Sequence, residues 1–481
     1  MSDDVLARHD ATALAELVRR GEVSPVELTE ATIARIEALD GDLNAVIHRR
    51  FEQALVEAAD PSLPDGPYRG VPMLIKDLWP SSAGDPFHLG NKAMAAAGYV
   101  HPTDADIVTR YREAGFVNVG RTNTPELGLV ATTEPEAYGA TANPWNTAHG
   151  AGGSSGGAAA AVAGGMVPAA NASDGGGSIR IPAAACGLVG LKPSRGRVPM
   201  GPLQEEWSVS VQHVVCHTVR DCAGILDITA IPFPGDGVIA PPPARPYAEE
   251  VGADVGRLRI GLLPTSTRSD VRTDPECEQA ARETAALLER LGHDVDEAHP
   301  SALDSIEDLG DAFMTNWFTN CRRNLTWIES CIGRELTEDD VEPATWLMAQ
   351  MAGSVTGQQL AAAYGAMAAF RRQMADWWAS GYDLLLSPTM AALPPVLGDL
   401  VAADDDPTRA LRHSLPYAAF TSAFNVTGQP GISLPLAQSE SGLPIGVQLV
   451  GAYARDDLLI RIAAQLEAEV RWADVRAPMH P

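Results

Sequence analysis

The residues that could do chemistry in this chain are serines set in glycine clusters. The segment 150–178, GAGGSSGGAAAAVAGGMVPAANASDGGGS, places Ser154 in one cluster and Ser178 at the end of another. Consecutive glycines let backbone N–H groups converge on one point, as the oxyanion of a tetrahedral intermediate requires. A serine that ends such a run is well placed to attack a carbonyl carbon. The segment therefore predicts a nucleophilic serine, and Ser178 is the first choice.

Other interpretations of the same glycines fit less well. A flexible linker is disfavoured, because an Ala/Val run and the apolar SIRIPAAACGLVG follow. A Walker phosphate loop needs a lysine after the glycines, and a dinucleotide fingerprint needs a strand before them. Residues 152–156 match the G-x-S-x-G pattern of a nucleophile elbow, which requires a preceding strand and a downstream histidine. The histidines after Ser154 occupy no setting that favours a Ser-His-Asp triad: His213, His217, His293, His299, His413 and His480.

A base for Ser178 is suggested by the distribution of cations. Of the 35 Lys and Arg residues, only three are lysine: Lys76, Lys92 and Lys192. Lysine, unlike arginine, loses its proton when it is buried. Lys76 ends the apolar run VPMLI, which would desolvate its ammonium and lower its pKa. We therefore predict that Lys76 is the base and that Ser154 relays the proton to it from Ser178.

The totals exclude several classes of protein. The chain has 481 residues, of which 45% are hydrophobic and 20% charged, and a net charge of -27. This acidic balance disfavours nucleic acid and anionic membranes as partners. No apolar run is long enough to span a membrane, and the first twenty residues lack the pattern of a signal peptide. Six scattered cysteines suggest neither a zinc site nor disulfides, so we expect a cytoplasmic protein.

Helix and strand patterns alternate along the whole chain. This alternation predicts an α/β fold with a large central mixed sheet flanked by helices. We expect one domain over residues 1–481, with a helical region at 1–65 and a core at 66–481. Ser24, Pro25 and Glu27 form a predicted capping box at the start of a helix. The Pro/Gly-rich segment 231–256 is interpreted as a surface loop, and 431–451 as a hairpin turning at Ser441–Gly442.

Together these motifs resemble those of the amidase signature family, the Ser–cis-Ser–Lys amide hydrolases. The resemblance rests on GVPMLIKD, GGSSGG and DGGGSIRIPAAACGLVGLKPSRGRVP, and it extends over nearly the whole chain. It implies a fold built on a large mixed sheet and no metal or organic cofactor. One departure is Gly175, where many members of the family have a residue with a side chain.

The resemblance also implies roles for individual residues. Ser178 would form the acyl-enzyme, Ser154 would bridge to the base after a cis bond from Gly153, and Lys76 would be the general base. Ser155 would support this network by hydrogen bonding. Asp174 and Arg180 would hold the loop of the nucleophile. The oxyanion hole would be made by the backbone N–H groups of Gly175, Gly176, Gly177 and Ser178.

The expected substrate is a small neutral amide. Ile181 is apolar where a charged residue could bind a substrate carboxylate, and this favours a fairly hydrophobic acyl group. An aminohexanoate cyclic dimer, an aryl amide or an aliphatic amide would fit. The segments 122–146 and 333–346 and the C-terminal hairpin most resemble the branch of the family that acts on nylon oligomers. The other predicted pocket residues are aromatic: Trp79, Trp207, Trp317 and Tyr417.

Three alternatives remain open at this point. The chain could be an esterase or carbamate hydrolase of the same family. It could resemble the glutamine amidotransferase subunit that works on charged tRNA, although its acidic balance disfavours this. It could also be an inactive binding protein, which is disfavoured because all three triad positions hold functional residues. A homodimer is one possible assembly.

Overall fold

The computed structural model describes residues 4–203, 208–402 and 406–480. The strands are β1 Val46–Arg49, β2 Pro72–Lys76, β3 Val117–Thr122, β4 Ala142–Asn143, β5 Asn146–Gly150, β6 Ala169–Asp174, β7 Val189–Lys192, β8 Val211–Cys216, β9 Arg259–Leu262, β10 Asp294–Asp296, β11 Leu384–Pro388, β12 Gly431–Gln438 and β13 Pro444–Gly451.

The α-helices are α1 Asp4–Arg8, α2 Ala11–Arg19, α3 Pro25–Leu43, α4 Phe51–Ala59, α5 Lys92–Ala97, α6 Asp106–Glu113, α7 Gly156–Ala163, α8 Arg180–Cys186, α9 Val219–Thr229, α10 Pro275–Arg290, α11 Gly310–Ile332, α12 Pro343–Ala352, α13 Gly357–Ala379, α14 Arg409–His413, α15 Leu415–Ala418, α16 Ser422–Thr427 and α17 Asp456–Val470. Short 3-10 helices occur at Glu126–Gly128, Tyr247–Glu250, Ser301–Leu309, Glu338–Asp340 and Trp472–Asp474.

One mixed sheet organises these elements. Its eleven strands run in the order β1-β3-β2-β6-β8-β7-β12-β13-β11-β9-β10, and β4 pairs with β5 separately. β2 runs parallel to both β3 and β6, whereas β6, β8, β7, β12 and β13 alternate in direction. The α/β architecture with a large central mixed sheet, predicted from the alternating patterns, is confirmed.

The two faces of the sheet bury different helices. Along β2, Met73 and Ile75 pack in one apolar cluster with residues of α2, α6, α9 and α17. Leu74 packs in another, together with residues of α3, α4, α7 and α8. Because successive side chains of a strand point to opposite faces, Lys76 is directed to the side of Leu74. The strand thus aims its terminal lysine toward α7 and the turn that precedes it.

Two local predictions, the capping box and the C-terminal hairpin, are confirmed. Ser24 caps α3, and its side chain and that of Glu27 each accept a hydrogen bond from the other residue's backbone N–H. β12 and β13 form the predicted antiparallel hairpin, and Gly442 adopts a left-handed conformation in its turn. The segment 231–256 contains only one short 3-10 helix and carries the exposed apolar residues Ile231 and Ile239.

Candidate active site

A buried lysine among serines is the central polar feature of the site. Lys76 is fully buried, and its Nζ lies 2.7 Å from Ser154 Oγ, 2.9 Å from Ser155 Oγ and 3.0 Å from Ser173 Oγ. We call Lys76, Ser154, Ser155 and Ser173 the serine–lysine cluster. Three partners match either the three N–H groups of an ammonium or the two N–H groups and lone pair of a neutral amine.

The surroundings of Lys76 favour the neutral amine. Burial holds the pKa of its ammonium well below the usual value, and the Asp174 carboxylate offsets only part of that effect. Taking an ammonium out of water penalises its charged form, and serine hydroxyls supply no compensating charge. Lys76 is therefore suited to accept a proton rather than to anchor an anion.

The turn that carries Ser154 leaves no room for side chains at its glycines. The peptide bond between Gly153 and Ser154 is cis, as the family resemblance implies. A Cβ at Gly153 would lie 2.3 Å from the Thr132 carbonyl oxygen, so only glycine fits there. The Ser155 hydroxyl contacts the backbone of Ser173: it donates to the carbonyl oxygen at 3.2 Å, and the Ser173 N–H approaches the same Oγ at 3.3 Å. These contacts join the turn before α7 to β6.

Ser178 lies in the loop between β6 and α8 and is partly exposed. It lines the same cavity as Gly153, next to Gly176 and Ile181. Gly128, another residue of that cavity, packs so closely that a Cβ on it would lie 3.1 Å from Ser154 Oγ. Ser178 therefore lines a cavity whose wall, at Gly128, packs against Ser154 of the serine–lysine cluster.

An ion pair holds the loop of Ser178. Arg180 donates from Nε to Asp174 Oδ2 at 2.9 Å and from Nη2 to Oδ1 at 3.0 Å, and both side chains are fully buried. Arg180 also donates to Gln448 and Asn425, each at 2.7 Å. Burial by itself would raise the pKa of Asp174, but the charge and hydrogen bonds of Arg180 outweigh it and lower that pKa to about 2. Asp174 and Arg180 thus occupy the loop-holding position expected from the sequence.

The four backbone amides predicted for the oxyanion hole differ in their surroundings. The Gly177 N–H donates to Asp174 Oδ1 at 2.7 Å, so the carboxylate already occupies it. Gly176 and Ser178 line the cavity, whereas Gly175 and Gly177 are not among its described lining residues. Gly177 has a φ of 140°, and a Cβ there would lie 2.4 Å from Thr421 Oγ1.

The cavity beside Ser178 has a volume of about 520 Å³ and is lined mainly by apolar side chains. Most of them come from α11, α12 and the segment 406–426. We call these residues the helical wall: Phe313, Met314, Trp317, Leu347, Met348, Leu411, Leu415, Ala418, Ala423 and Val426. Among the described lining residues none is acidic, and the two arginines are each paired, Arg268 with Asp270 and Arg412 with Asp406.

The pocket residues expected from the sequence divide into three groups. Ile181 and Trp317 line the cavity. Trp79 and Tyr417 are not among the described lining residues; Trp79 packs beside Phe87 in one apolar cluster, and Tyr417 is 9% exposed in another. Trp207 lies outside the described residues. The sequence reasoning missed Ser173 and nearly all of the helical wall.

Two of the histidines that follow Ser154 have partners elsewhere in the fold. The rings of His213 and His217 approach the backbone carbonyl oxygens of Cys222 and Val162, respectively. Neither is a partner of Ser154, whose hydroxyl contacts Lys76 instead.

Across the described ranges, no three His, Cys, Asp or Glu side chains are grouped so that they could hold a metal ion. Over the same ranges, every helix is too short or too polar to cross a membrane.

Comparison with known proteins identifies the family. Residues 27–460 match the family model described as Amidase. A 6-aminohexanoate-cyclic-dimer hydrolase of Pseudomonas sp. (strain NK87) is 46% identical over 477 residues, which cover 96% of this chain and 95% of that protein. A solved structure of 6-aminohexanoate cyclic dimer hydrolase complexed with substrate matches with a TM-score of 0.95 and 44% identity, over 99% of this chain and 100% of that one.

A solved structure with lower sequence identity has the same fold. A bacterial aryl acylamidase of the amidase signature enzymes family has a TM-score of 0.87 and 28% identity, over 98% of this chain and 99% of that one. The fold, the site and these relatives define a hydrolase of carbon–nitrogen bonds other than peptide bonds. The chain belongs to the amidase signature family, as its motifs indicated.

Proposed function

We propose that this protein hydrolyses a neutral, largely apolar amide through an acyl-enzyme on Ser178, with Ser154 as proton relay and Lys76 as general base. The observation that carries the proposal is the fully buried Lys76, held by three serine hydroxyls at 2.7–3.0 Å beside an apolar cavity that Ser178 lines. A buried lysine with a lowered pKa is a recognised means of activating a hydroxyl nucleophile.

The proposed reaction begins with a relay of protons. Ser178 Oγ attacks the amide carbon while its proton passes to Ser154 Oγ, and the Ser154 proton passes to the neutral Nζ of Lys76. The carbonyl oxygen becomes an oxyanion, which backbone N–H groups of the glycine loop stabilise. Gly176 and Ser178 are the preferred donors because they face the cavity, whereas Asp174 occupies the Gly177 N–H.

The second half of the reaction returns the proton. The ammonium of Lys76 gives it back through Ser154 to the leaving nitrogen, the carbon–nitrogen bond breaks, and the acyl group stays on Ser178. Water then attacks the ester by the same route, and release of the acid restores Ser178. General acid–base catalysis of this kind contributes about 10²–10⁴ in rate.

The cavity supports a neutral substrate. A volume of about 520 Å³ lies within the range typical of small-molecule sites. An apolar wall favours methylene or aromatic groups, and an unpaired charge buried there would cost several kcal/mol. By analogy with the relatives named above, we propose an aminohexanoate cyclic dimer, or an aryl or aliphatic amide of similar polarity, as the substrate class.

The same reasoning disfavours a glutamine amidotransferase. Free glutamine carries an ammonium and a carboxylate, and each would need a charged or strongly polar partner. The described lining residues contain no carboxylate for the ammonium, and Arg268 and Arg412 are already paired with aspartates. Esters and carbamates would meet the same nucleophile, so their turnover stays a prediction of the acyl-enzyme scheme.

A turnover screen tests the proposal. The purified protein is incubated with aminohexanoate cyclic and linear dimers, an aryl amide, primary amides, a carbamate and glutamine, and amine release is measured. We expect turnover of at least one neutral amide by the wild type and none by Ser178→Ala. The exposed Ser62→Ala is the matched control and should behave as the wild type. Turnover of glutamine alone, or full activity of Ser178→Ala, would contradict the proposal.

Two further expectations stay predictions. The cytoplasmic location and the homodimer follow from sequence-level arguments alone. Sedimentation of the purified chain would decide between monomer and dimer.

A further inference from the structure

A threonine hydroxyl on the helical side of the cavity bonds to the loop that carries Ser178. Thr421 is fully buried between α15 and α16, and its Oγ1 donates to the Gly176 carbonyl oxygen at 2.6 Å. The N–H of the same peptide unit belongs to Gly177 and donates to Asp174 Oδ1 at 2.7 Å. Both polar ends of the Gly176–Gly177 peptide are therefore fixed, one by Thr421 and one by Asp174.

The backbone of Thr421 is tied to the same loop. Arg180 Nη1 donates to the Thr421 carbonyl oxygen at 3.1 Å, while the other atoms of that guanidinium hold Asp174. Thr421 Oγ1 also fills the space that a Cβ on Gly177 would occupy, since the two positions are only 2.4 Å apart. The threonine thus contacts the glycine loop through its hydroxyl and, by way of Arg180, through its main chain.

Thr421 is also part of the chain that forms the cavity. Ala418, Ser422 and Ala423, which surround it in sequence, line the cavity. A substrate that contacts these residues therefore contacts the segment whose Thr421 orients the Gly176–Gly177 peptide. Rotation of that peptide would turn the adjoining N–H groups of Gly176 and Ser178 away from the position that the carbonyl oxygen of the substrate would occupy.

We infer that Thr421 is a positioning residue, which sets the orientation of the oxyanion-binding loop and links it to the substrate-facing wall. The inference rests on the proposed function, because it assigns the loop a role in stabilising the oxyanion. The Thr421 hydroxyl acts on this loop through the Gly176 carbonyl oxygen, and Thr421 is not among the described lining residues of the cavity. Its effect should therefore appear in the transition state rather than in the binding of substrate.

Three variants test this inference. Thr421→Val keeps the shape and removes the hydroxyl, and Thr421→Ser keeps the hydroxyl. Thr229→Val is the matched control, because Thr229 is fully buried on α9 and its Oγ1 donates to a carbonyl oxygen, that of Ile225, at 2.9 Å. Each variant is assayed with an amide that the wild type turns over, and its thermal midpoint is recorded.

We expect Thr421→Val to lower kcat by about 10- to 100-fold with KM within about threefold, because a small misorientation of catalytic groups costs this much. Thr421→Ser should restore most of the lost rate. Thr229→Val should keep the wild-type kcat while its thermal midpoint falls about as far as that of Thr421→Val. Hexanal, whose adduct with Ser178 would carry an oxyanion, should lose inhibitory affinity in Thr421→Val by the same factor as kcat/KM.

Several results would overturn the inference. One is a kcat of Thr421→Val equal to that of Thr229→Val, and another is a loss confined to KM. A third is Thr421→Ser as slow as Thr421→Val, and a fourth is unchanged affinity for hexanal. These outcomes leave the proposed function standing, provided that Ser178→Ala is inactive. A wild type that turns over no amide would instead remove the proposed function itself.

Discussion

The serine–lysine cluster packs behind one side of the cavity, at Gly128 and Gly153, and the helical wall forms another side, and the two are built in opposite ways. The cluster is polar, and its members come from a strand end, a tight turn and a neighbouring strand within residues 76–173. The wall is apolar and is assembled from helices that begin more than a hundred residues later. Hydrogen-bond geometry fixes the positions of the cluster residues, whereas the volumes of packed side chains fix the shape of the wall. The difference implies that reaction type and substrate choice can change independently.

The largest expected effect comes from removing the proposed base, Lys76. Lys76→Met keeps the length and apolar stem of the side chain but cannot accept a proton. We expect amide turnover to fall by about 10³-fold or more, since proton transfer by a positioned base is lost. The surface variant Lys92→Met is the control, and its turnover should equal that of the wild type. Steady-state assays at neutral pH check this, and retained turnover in Lys76→Met would show that the base lies elsewhere.

A pH profile sharpens the role of the cluster. In the proposed scheme Lys76 must be neutral to accept the proton, so kcat/KM should fall by about tenfold per pH unit below the pKa of this lysine. Because burial holds that pKa well below the ordinary lysine value, the acid limb should have its midpoint well below about pH 10. Measurement of kcat/KM from about pH 5 to about pH 10 gives the midpoint. A rate that keeps rising to the top of that range would indicate an unshifted lysine.

The pKa of Lys76 also affects folding stability. A lysine that is neutral in the folded chain but charged in the unfolded chain releases a proton on folding, so stability rises with pH up to the unfolded pKa. Lys76→Met should therefore flatten the pH dependence of the unfolding midpoint between neutral and alkaline pH. Thermal melts of the two proteins across pH would detect this, and parallel curves would argue against a lowered pKa.

A smaller effect is expected from the helical wall. Trp317→Ala removes a large apolar side chain that lines the cavity. We expect KM for a bulky neutral amide to rise by about tenfold, since loss of a few buried methylene equivalents costs 1–3 kcal/mol, while kcat changes little. A primary amide too small to reach Trp317 serves as the control substrate. A loss confined to kcat would show that the wall also takes part in the chemistry.

The smallest effect is expected at the rim. Met351 lines the cavity but is 44% exposed, so its contribution to burying substrate is limited. Met351→Ala should change KM by no more than about twofold. Comparison with Trp317→Ala, assayed on the same amide, tests whether depth in the cavity governs the contribution. Equal changes in KM for Met351→Ala and Trp317→Ala would contradict a contribution that increases with depth in the cavity.

The same contrast explains what could be predicted from sequence. Ser154 and Ser178 stood out because they lie in glycine clusters, and Lys76 because lysine is rare in this chain and this one ends an apolar run. All of these are local signals. The capping box at Ser24 and the hairpin at 431–451 were readable for the same reason. The fold adds the contact between Lys76 and Ser154 and the position of Ser178 on the cavity, and the catalytic roles of the three residues stay a proposal.

No local pattern in the sequence indicated which residues form the helical wall. Phe313, Met348 and Val426 are ordinary apolar residues of helical sequence, and only long-range packing decides which of them face a cavity. Trp79 and Tyr417 were chosen as large aromatics, but each packs in an apolar cluster and neither is among the described lining residues of the cavity. Ser173 was missed because its contact with Lys76 depends on the pairing of β2 with β6.

The position of the C-terminal hairpin has a consequence for biosynthesis. β12 and β13 occupy the middle of the sheet, between β7 on one side and β11 on the other. A ribosome that has not yet released residues 431–451 holds a chain with two incomplete half-sheets, each ending in an unpaired strand edge. Such edges invite pairing with other chains. Completion of this enzyme therefore depends on its last strands, and nascent chains that stall before residue 431 would be the ones that need chaperone protection.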